Sequence, residues 1–189
     1  MRNLKTNASI LILAVVASSF TSVLNEKQVD IEKSTINWTG SKVTGSHNGN
    51  IQLKEGVLVF DEDQLTGGHF VVDMTTIVNH DLSGDWKDKL EGHLRSDDFF
   101  SVDQHPTSSL KFTEVKGENG KYEVTGDLTI KGITKPVTFE MTVEENQATA
   151  AVKIDRTQYD IRYGSASFFD NLKDKAISND FELKVSLVY

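Results

Sequence analysis

Cysteine is absent from all 189 residues, so no disulfide can staple the fold, no thiolate can act as nucleophile and no lipid anchor can be built on a thiol. Stability must then come from apolar burial. Proline occurs twice, which leaves no proline-rich linker, and no internal repeat or low-complexity stretch is present. The one long apolar stretch, Ala8 to Ala17, has about ten residues, against the roughly 20 that a spanning helix needs. Basic charge is scarce too. The 20 Lys+Arg face 28 Asp+Glu for a net charge of −8; two of the basic residues and none of the acidic ones lie in residues 1–22, leaving −10 for the rest. So acidic a chain, with no basic cluster, repels phosphate backbones, and nucleic acid is excluded as a partner.

Signatures of catalysis are missing as well. There is no G-x-S-x-G elbow, no G-x-G-x-x-G fingerprint and no P-loop. The five histidines, His47, His69, His80, His93 and His105, match neither zincin nor zinc-finger spacing. No enzyme, metal or cofactor is expected. One alternative stays open: His47 and His69 on adjacent strands, joined by Asp73 or His93, would build a metal site or an acid–base pair.

What is present begins with Arg2 and Lys5, the apolar stretch, and then small residues at Ala17, Ser18, Ser19 and Ser22. That order is a secretory signal peptide. It predicts residues 1–22 as a signal and 23–189 as one domain of an exported protein, periplasmic or secreted. About 165 residues suffice for one core. From there the chain alternates. Lys121 to Lys131 puts Tyr122, Val124, Gly126, Leu128 and Ile130 on one face, with Glu123, Thr125, Asp127 and Thr129 on the other. A strict period of two is a half-buried strand. Asn119-Gly120 before it is a hairpin turn. Similar stretches run over 28–31, 35–43, 51–60, 68–74, 109–115, 136–144, 148–154 and 181–189, with Gly56 marking a bulge or bend. Two segments break the pattern. Leu82, Trp86, Leu90 and Leu94 recur every fourth residue, predicting an amphipathic helix capped by Ser83. A second, weaker helix is expected around Phe168, Phe169 and Leu172.

About eight antiparallel strands with one apolar face fold as a sandwich or a barrel, and closure leaves no unpaired edge. A barrel of eight is just wide enough to fill itself or to hold one small ligand. The small inward residues Gly126, Ala148 and Ala150 are expected to leave volume between Phe70, Phe112 and Phe139. The alternation names the lining: Trp38, Phe70, Val72, Met74, Leu110, Phe112, Leu128, Phe139, Met141, Ile154 and Leu183. Trp86, Leu90 and Leu94 are expected to face the mouth as a lid or plug, with Phe99 and Phe100 pinning the returning segment.

Five segments then carry a family likeness: Trp38-Thr39-Gly40 with Gly45-Ser46-His47 and Gly49; Gly67-Gly68-His69-Phe70 with Val72-Asp73-Met74; Leu90 to Phe100 (LEGHLRSDDFF) with Pro106; Gly126 to Gly132 (GDLTIKG); and Ile154 to Gly164 (IDRTQYDIRYG). In this order and spacing the chain resembles the YceI-like family of exported bacterial proteins, named for polyisoprenoid binding. The resemblance implies an all-β, eight-stranded antiparallel, lipocalin-like β-barrel with one or two short helices at its mouth. It further implies a tunnel that holds a polyisoprenoid or another long amphiphilic lipid. The glycine-rich form of the segments around His47 and His69 departs from the usual pattern and leaves the lipid's identity open. A polar headgroup would want donors at the rim, for which Arg156, Tyr159 and Tyr163 are the candidates; the alternative for Arg156 is an ion pair with a carboxylate across the sheet. Membrane contact is expected to be transient at most, and a homodimer is allowed. A solid barrel acting as an envelope stress or interaction protein is the competing function. Leu128→Asp, which sets an unpaired charge on the inward face, is expected to abolish folding, seen as loss of the cooperative thermal transition by circular dichroism.

Overall fold

The computed structural model describes residues 24–189, so the expected signal segment lies outside the described residues. In chain order the elements are β1 (Leu24–Gln28), β2 (Thr35–Lys42), β3 (Gly45–Asp61), β4 (Gln64–Asn79), α1 (Gly84–Arg95), β5 (Thr107–Glu118), β6 (Lys121–Ile130), β7 (Ile133–Val143), β8 (Gln147–Asp155) and β9 (Ile177–Val188). Strands β2 to β9 form a single antiparallel sheet that the β3–β4 pairing closes into an eight-stranded barrel. Alternation dictates this outcome locally. In β6 the inward residues Tyr122, Val124, Gly126, Leu128 and Ile130 are all buried, while Glu123 and Asp127 are exposed.

β1 is a ninth strand but not a ninth stave. It pairs with Val57–Asp61 of β3, whereas β2 pairs with Gly45–Ile51 of the same strand. The two therefore share one position in the barrel. The join between them is held by Val29 N–H donating to the Gly56 carbonyl and Asp30 N–H donating to the Val188 carbonyl. The short strand expected at 28–31 thus lies earlier, at Leu24–Gln28, because residues 29–30 cross from β3 to β9.

Successive strands run in opposite directions, which sorts the connections between two ends, and both long ones, β4–β5 and β8–β9, fall at the same end. The β2–β3, β4–β5, β6–β7 and β8–β9 connections gather at one end, with α1 among them; the β3–β4, β5–β6 and β7–β8 turns lie at the other. That second end is shut. Phe60, Leu65, Tyr122, Ala148 and Leu187 are buried there, and the Tyr122 hydroxyl accepts from Leu65 N–H and donates to Gln64 Oε1. Lys27 spans the Phe60 and Tyr189 rings at 4.8 and 4.9 Å.

Several local expectations are corrected. Of the three register shifts between β3 and β4, the one nearest Gly56 falls at Lys54, where Leu53 and Glu55 oppose successive residues of β4. Gly56 instead gives room to Phe70, whose ring would lie 2.8 Å from an added Cβ. Gly126 opens no space either: Phe112 pairs with it across the sheet, and an added Cβ would meet Leu110 Cδ1 and the Lys111 carbonyl at 2.9 Å. Ala148 is fully buried at the shut end. The segment with Phe168 and Phe169 forms turns rather than a helix, and both rings are half exposed. Without an apolar face docked on the barrel it has nothing to stabilise a helix.

The tightest approach in the barrel is at Gly49, where an added Cβ would stand 1.8 Å from the Val78 carbonyl and 2.7 Å from the Trp38 ring. Both neighbours are held by the sheet. Gly49→Ala is expected to lower stability by about 3 kcal/mol, measured as a shift in urea midpoint at constant slope.

Candidate functional site

The barrel is hollow. Two chambers lie along its interior, about 130 Å³ on the side of the long connections and about 90 Å³ on the side of the shut end. A single water requires roughly 10–15 Å³ on the same measure, so each space exceeds a packing defect several-fold. Six residues border both chambers: Ile36, Val72, Ser108, Leu128, Ile154 and Leu183. They come from β2, β4, β5, β6, β8 and β9 and form a waist. A cavity walled this way by aliphatic groups stays dry and favours apolar guests.

Of the residues expected at the site, Trp38, Val72, Met74, Leu94, Phe99, Leu128, Ile154, Arg156 and Leu183 line the upper chamber. Phe70, Leu110, Phe112, Phe139 and Met141 line the lower one. Phe100 also borders the upper chamber, and Ala150 the lower. The upper chamber is also lined by Ile36, Ile51, Ile77, Ser108, Ile130 and Phe181, of which the alternation places Ile130 and Phe181 on inward faces without naming them as lining. Four of these stand two residues from a named position, so one more step of the same alternation reaches them. Ser108 escaped because its side chain is polar.

Four named residues, Trp86, Leu90, Tyr159 and Tyr163, lie elsewhere. Trp86 is 71% exposed, Leu90 is half-buried outside both chambers, and only Leu94 of that stripe is buried. Geometry explains the split: residues spaced by four advance about 40° per step around a helix of 3.6 residues per turn, so a stripe that seats Leu94 swings Trp86 into solvent. Ser83 takes the extended N-cap position but makes no side-chain capping bond. Polar groups rather than Trp86 latch α1 down. Glu91 Oε1 accepts from Asn79 N–H, and Arg95 Nη2 donates to the Ile77 carbonyl. Tyr163 is half exposed, with its ring against His93 at 4.4 Å.

Arg156 is 2% exposed, and its partners are not the carboxylate anticipated. Nε donates to the Ser178 carbonyl (2.9 Å), Nη1 to that of Ile161 (2.6 Å) and Nη2 to that of Ile177 (3.2 Å). The guanidinium also lies 5.6 Å from the Phe99 ring centroid. Burial lowers its pKa, with Asp155 opposing, yet an arginine stays cationic. Tyr159 is buried beside it but lines neither chamber, and burial raises its pKa.

His47 and His69 do not meet. His69 pairs with Val57, ten residues along β3 from His47, which is on the order of 30 Å of strand. No cluster of three or more metal-ligating side chains occurs among the described residues. His47 Nδ1 instead hydrogen-bonds Asp81 Oδ2 at 2.7 Å, while Asp81 Oδ1 accepts from Asn48 N–H and Asn79 Nδ2. Burial opposes ionisation of Asp81, but these bonds outweigh it and hold the carboxyl at about 2.

The model of the YceI-like domain matches residues 28–189. A UPF0312 protein of Photorhabdus laumondii is 41% identical over 89 residues, 47% of this chain and 44% of that protein. Protein YceI of Escherichia coli O6:H1 is 36% identical over 92 residues, 49% and 46% of the two chains. The chain thus matches a little under half the length of these relatives. Among solved structures, Burkholderia cenocepacia BcnA aligns with a TM-score of 0.65 at 22% identity, over 85% of this chain and 99% of that one. A polyisoprenoid binding domain from Saccharophagus degradans aligns with a TM-score of 0.57 at 14% identity, over 87% and 97%. Both show the same fold.

The Asp81 cluster has a pH signature. Its folded pKa lies below the ordinary carboxylate value of 3.8, so its contribution is complete above about 4 and is lost as the pH falls through about 2. The stability gap between wild type and Asp81→Ala, about 1 kcal/mol at neutral pH, is expected to close over that window in urea titrations.

Proposed function

The chain belongs to the YceI-like domain family, and from that premise we propose that it is an exported, non-catalytic protein that sequesters or carries a long apolar lipid, such as a polyisoprenoid, inside its barrel. The observation that carries this reading is the two-chambered apolar interior, shut at one end and flanked at the other by α1 and the long connections. The competing solid barrel would have its interior filled by side chains. Arg2, Lys5 and the apolar stretch after them support export to the periplasm or beyond.

Transfer physics favours such cargo. Each buried CH₂ contributes about 0.8 kcal/mol, so a five-carbon isoprene unit contributes roughly 3–4 kcal/mol. Ordering the tail offsets much of this, and release becomes the demanding step. α1 is latched by two polar contacts, to Asn79 and Ile77, which suits an element that lifts to let a lipid pass. Trp86, Tyr163, Phe168 and Phe169 stand exposed at the same end. Amphipathic rings there suit a transient touch on a bilayer surface during exchange.

Organic extraction of the purified protein followed by mass spectrometry is expected to release a prenyl or similar long-chain lipid. Ala150→Phe, which puts a ring into the lower chamber at a cost of about 1–3 kcal/mol in stability, is expected to stay folded yet retain far less. Lipid-free wild-type protein that also takes up none in reconstitution would defeat the proposal.

A further inference from the structure

Three residues that border the almost wholly apolar upper chamber carry polar groups and are at least nine-tenths buried. Trp38 is 8% exposed and its Nε1 has no hydrogen-bond partner; Ser108 is 8% exposed and its Oγ has none either. Burying such groups unpaired costs about 1–3 kcal/mol each, so an interior kept only for hydrocarbon would replace them by phenylalanine and alanine. The third group is Arg156. It offers five N–H donors and spends three on carbonyls. Among the described residues it forms no ion pair. Asp180 also borders this chamber, but it is exposed at the rim and lies 4.0 Å from Lys153.

The placement of these groups is ordered. Ser108 belongs to the waist. Trp38 and Arg156 each follow a waist residue, Ile36 and Ile154, by two positions toward the end that carries the long connections. Two residues of strand advance about 7 Å. An unpaired hydroxyl therefore lies at the waist, and an unpaired indole N–H and an arginine without an ion pair lie between waist and rim, while the lower chamber adds no buried polar side chain beyond Ser108.

Resting on the lipid-barrel reading above, we infer that the upper chamber is a headgroup site for an oxyanion, the carboxylate or phosphate of a single-chain lipid whose tail passes the waist into the lower chamber. The head forms the ion pair that Arg156 does not make within the chain, and accepts from Trp38 Nε1 and Ser108 Oγ. Charge-assisted bonds of this kind are the strong ones. A cationic head is repelled, and a neutral alcohol forgoes the ionic part.

The test uses one chain length and four heads. Palmitate, hexadecyl phosphate, hexadecanol and hexadecylamine compete with the neutral fluorescent probe N-phenyl-1-naphthylamine for the purified protein. Palmitate or hexadecyl phosphate is expected to displace the probe at concentrations at least tenfold below hexadecanol, with hexadecylamine weakest; the better of the two acids identifies the head as carboxylate or phosphate. Trp38→Phe and Ser108→Ala are each expected to shrink the acid-over-alcohol ratio several-fold. They keep the test decisive if Arg156→Gln, which also unties the Ile161 and Ile177 carbonyls, fails to fold. Equal displacement by acid and alcohol, or a ratio unmoved in both variants, overturns the headgroup site and leaves the lipid barrel intact. Failure of the probe and all four competitors to bind removes the lipid barrel itself, and the headgroup site with it.

Discussion

Closure of the sheet is the constraint on which the rest of this structure depends. When β3 pairs with β4, the strands of the barrel have neighbours on both sides, and the edge hazard of an open sheet disappears. Closure also fixes the diameter. Eight strands give an interior that side chains can just fill or just fail to fill, so small local choices decide between a core and a container. Here the waist residues meet only partway, and space remains above and below them.

Those local choices run against a simple count of small residues. Glycines at 56, 68 and 126 look like missing volume, yet the rings of Phe70 and Phe112 lie over the first two, and Leu110 and the Lys111 carbonyl crowd the third. Phe70 and Phe112 in turn meet at 5.5 Å with their planes tilted by 46°, and Phe112 meets Phe139 at 6.1 Å. The glycines allow large rings to lie flat against the wall, which lets the barrel keep a free axis while burying aromatic surface. The lower chamber owes its space to ring placement, not to the glycines themselves.

The open end follows a different economy. Arg156 ties the β8–β9 connection to the start of β9 through the carbonyls of Ile161, Ile177 and Ser178, and Phe99 lies against both that guanidinium and His93 of α1. His93 then meets Tyr163. Helix and connection are thereby joined through one aromatic and cationic chain of contacts, so movement of either disturbs the other.

Much of this was legible in the sequence because a strand's side-chain period is a local property. Alternation alone located eight of the nine strands, and it put Trp38, Phe70, Phe112, Leu128 and Ile154 on the inward face. The helix was equally readable, since its spacing differs from that of every strand. The exposed face of α1 was not: apolar spacing by four names a spiral, and which part of it meets the barrel depends on how Glu91 and Arg95 fasten to β4.

What the residues determined by themselves was therefore the elements, their inward faces and the all-β class, each set by the steric and hydropathic period of a few neighbouring residues. Tertiary structure alone decided that Lys54 carries a bulge, that His47 bonds Asp81 and lies far from His69, that Arg156 is buried on carbonyls, and that two chambers stay open. The reason is physical. These features depend on register and on the packing of residues many positions apart, and no local period encodes either.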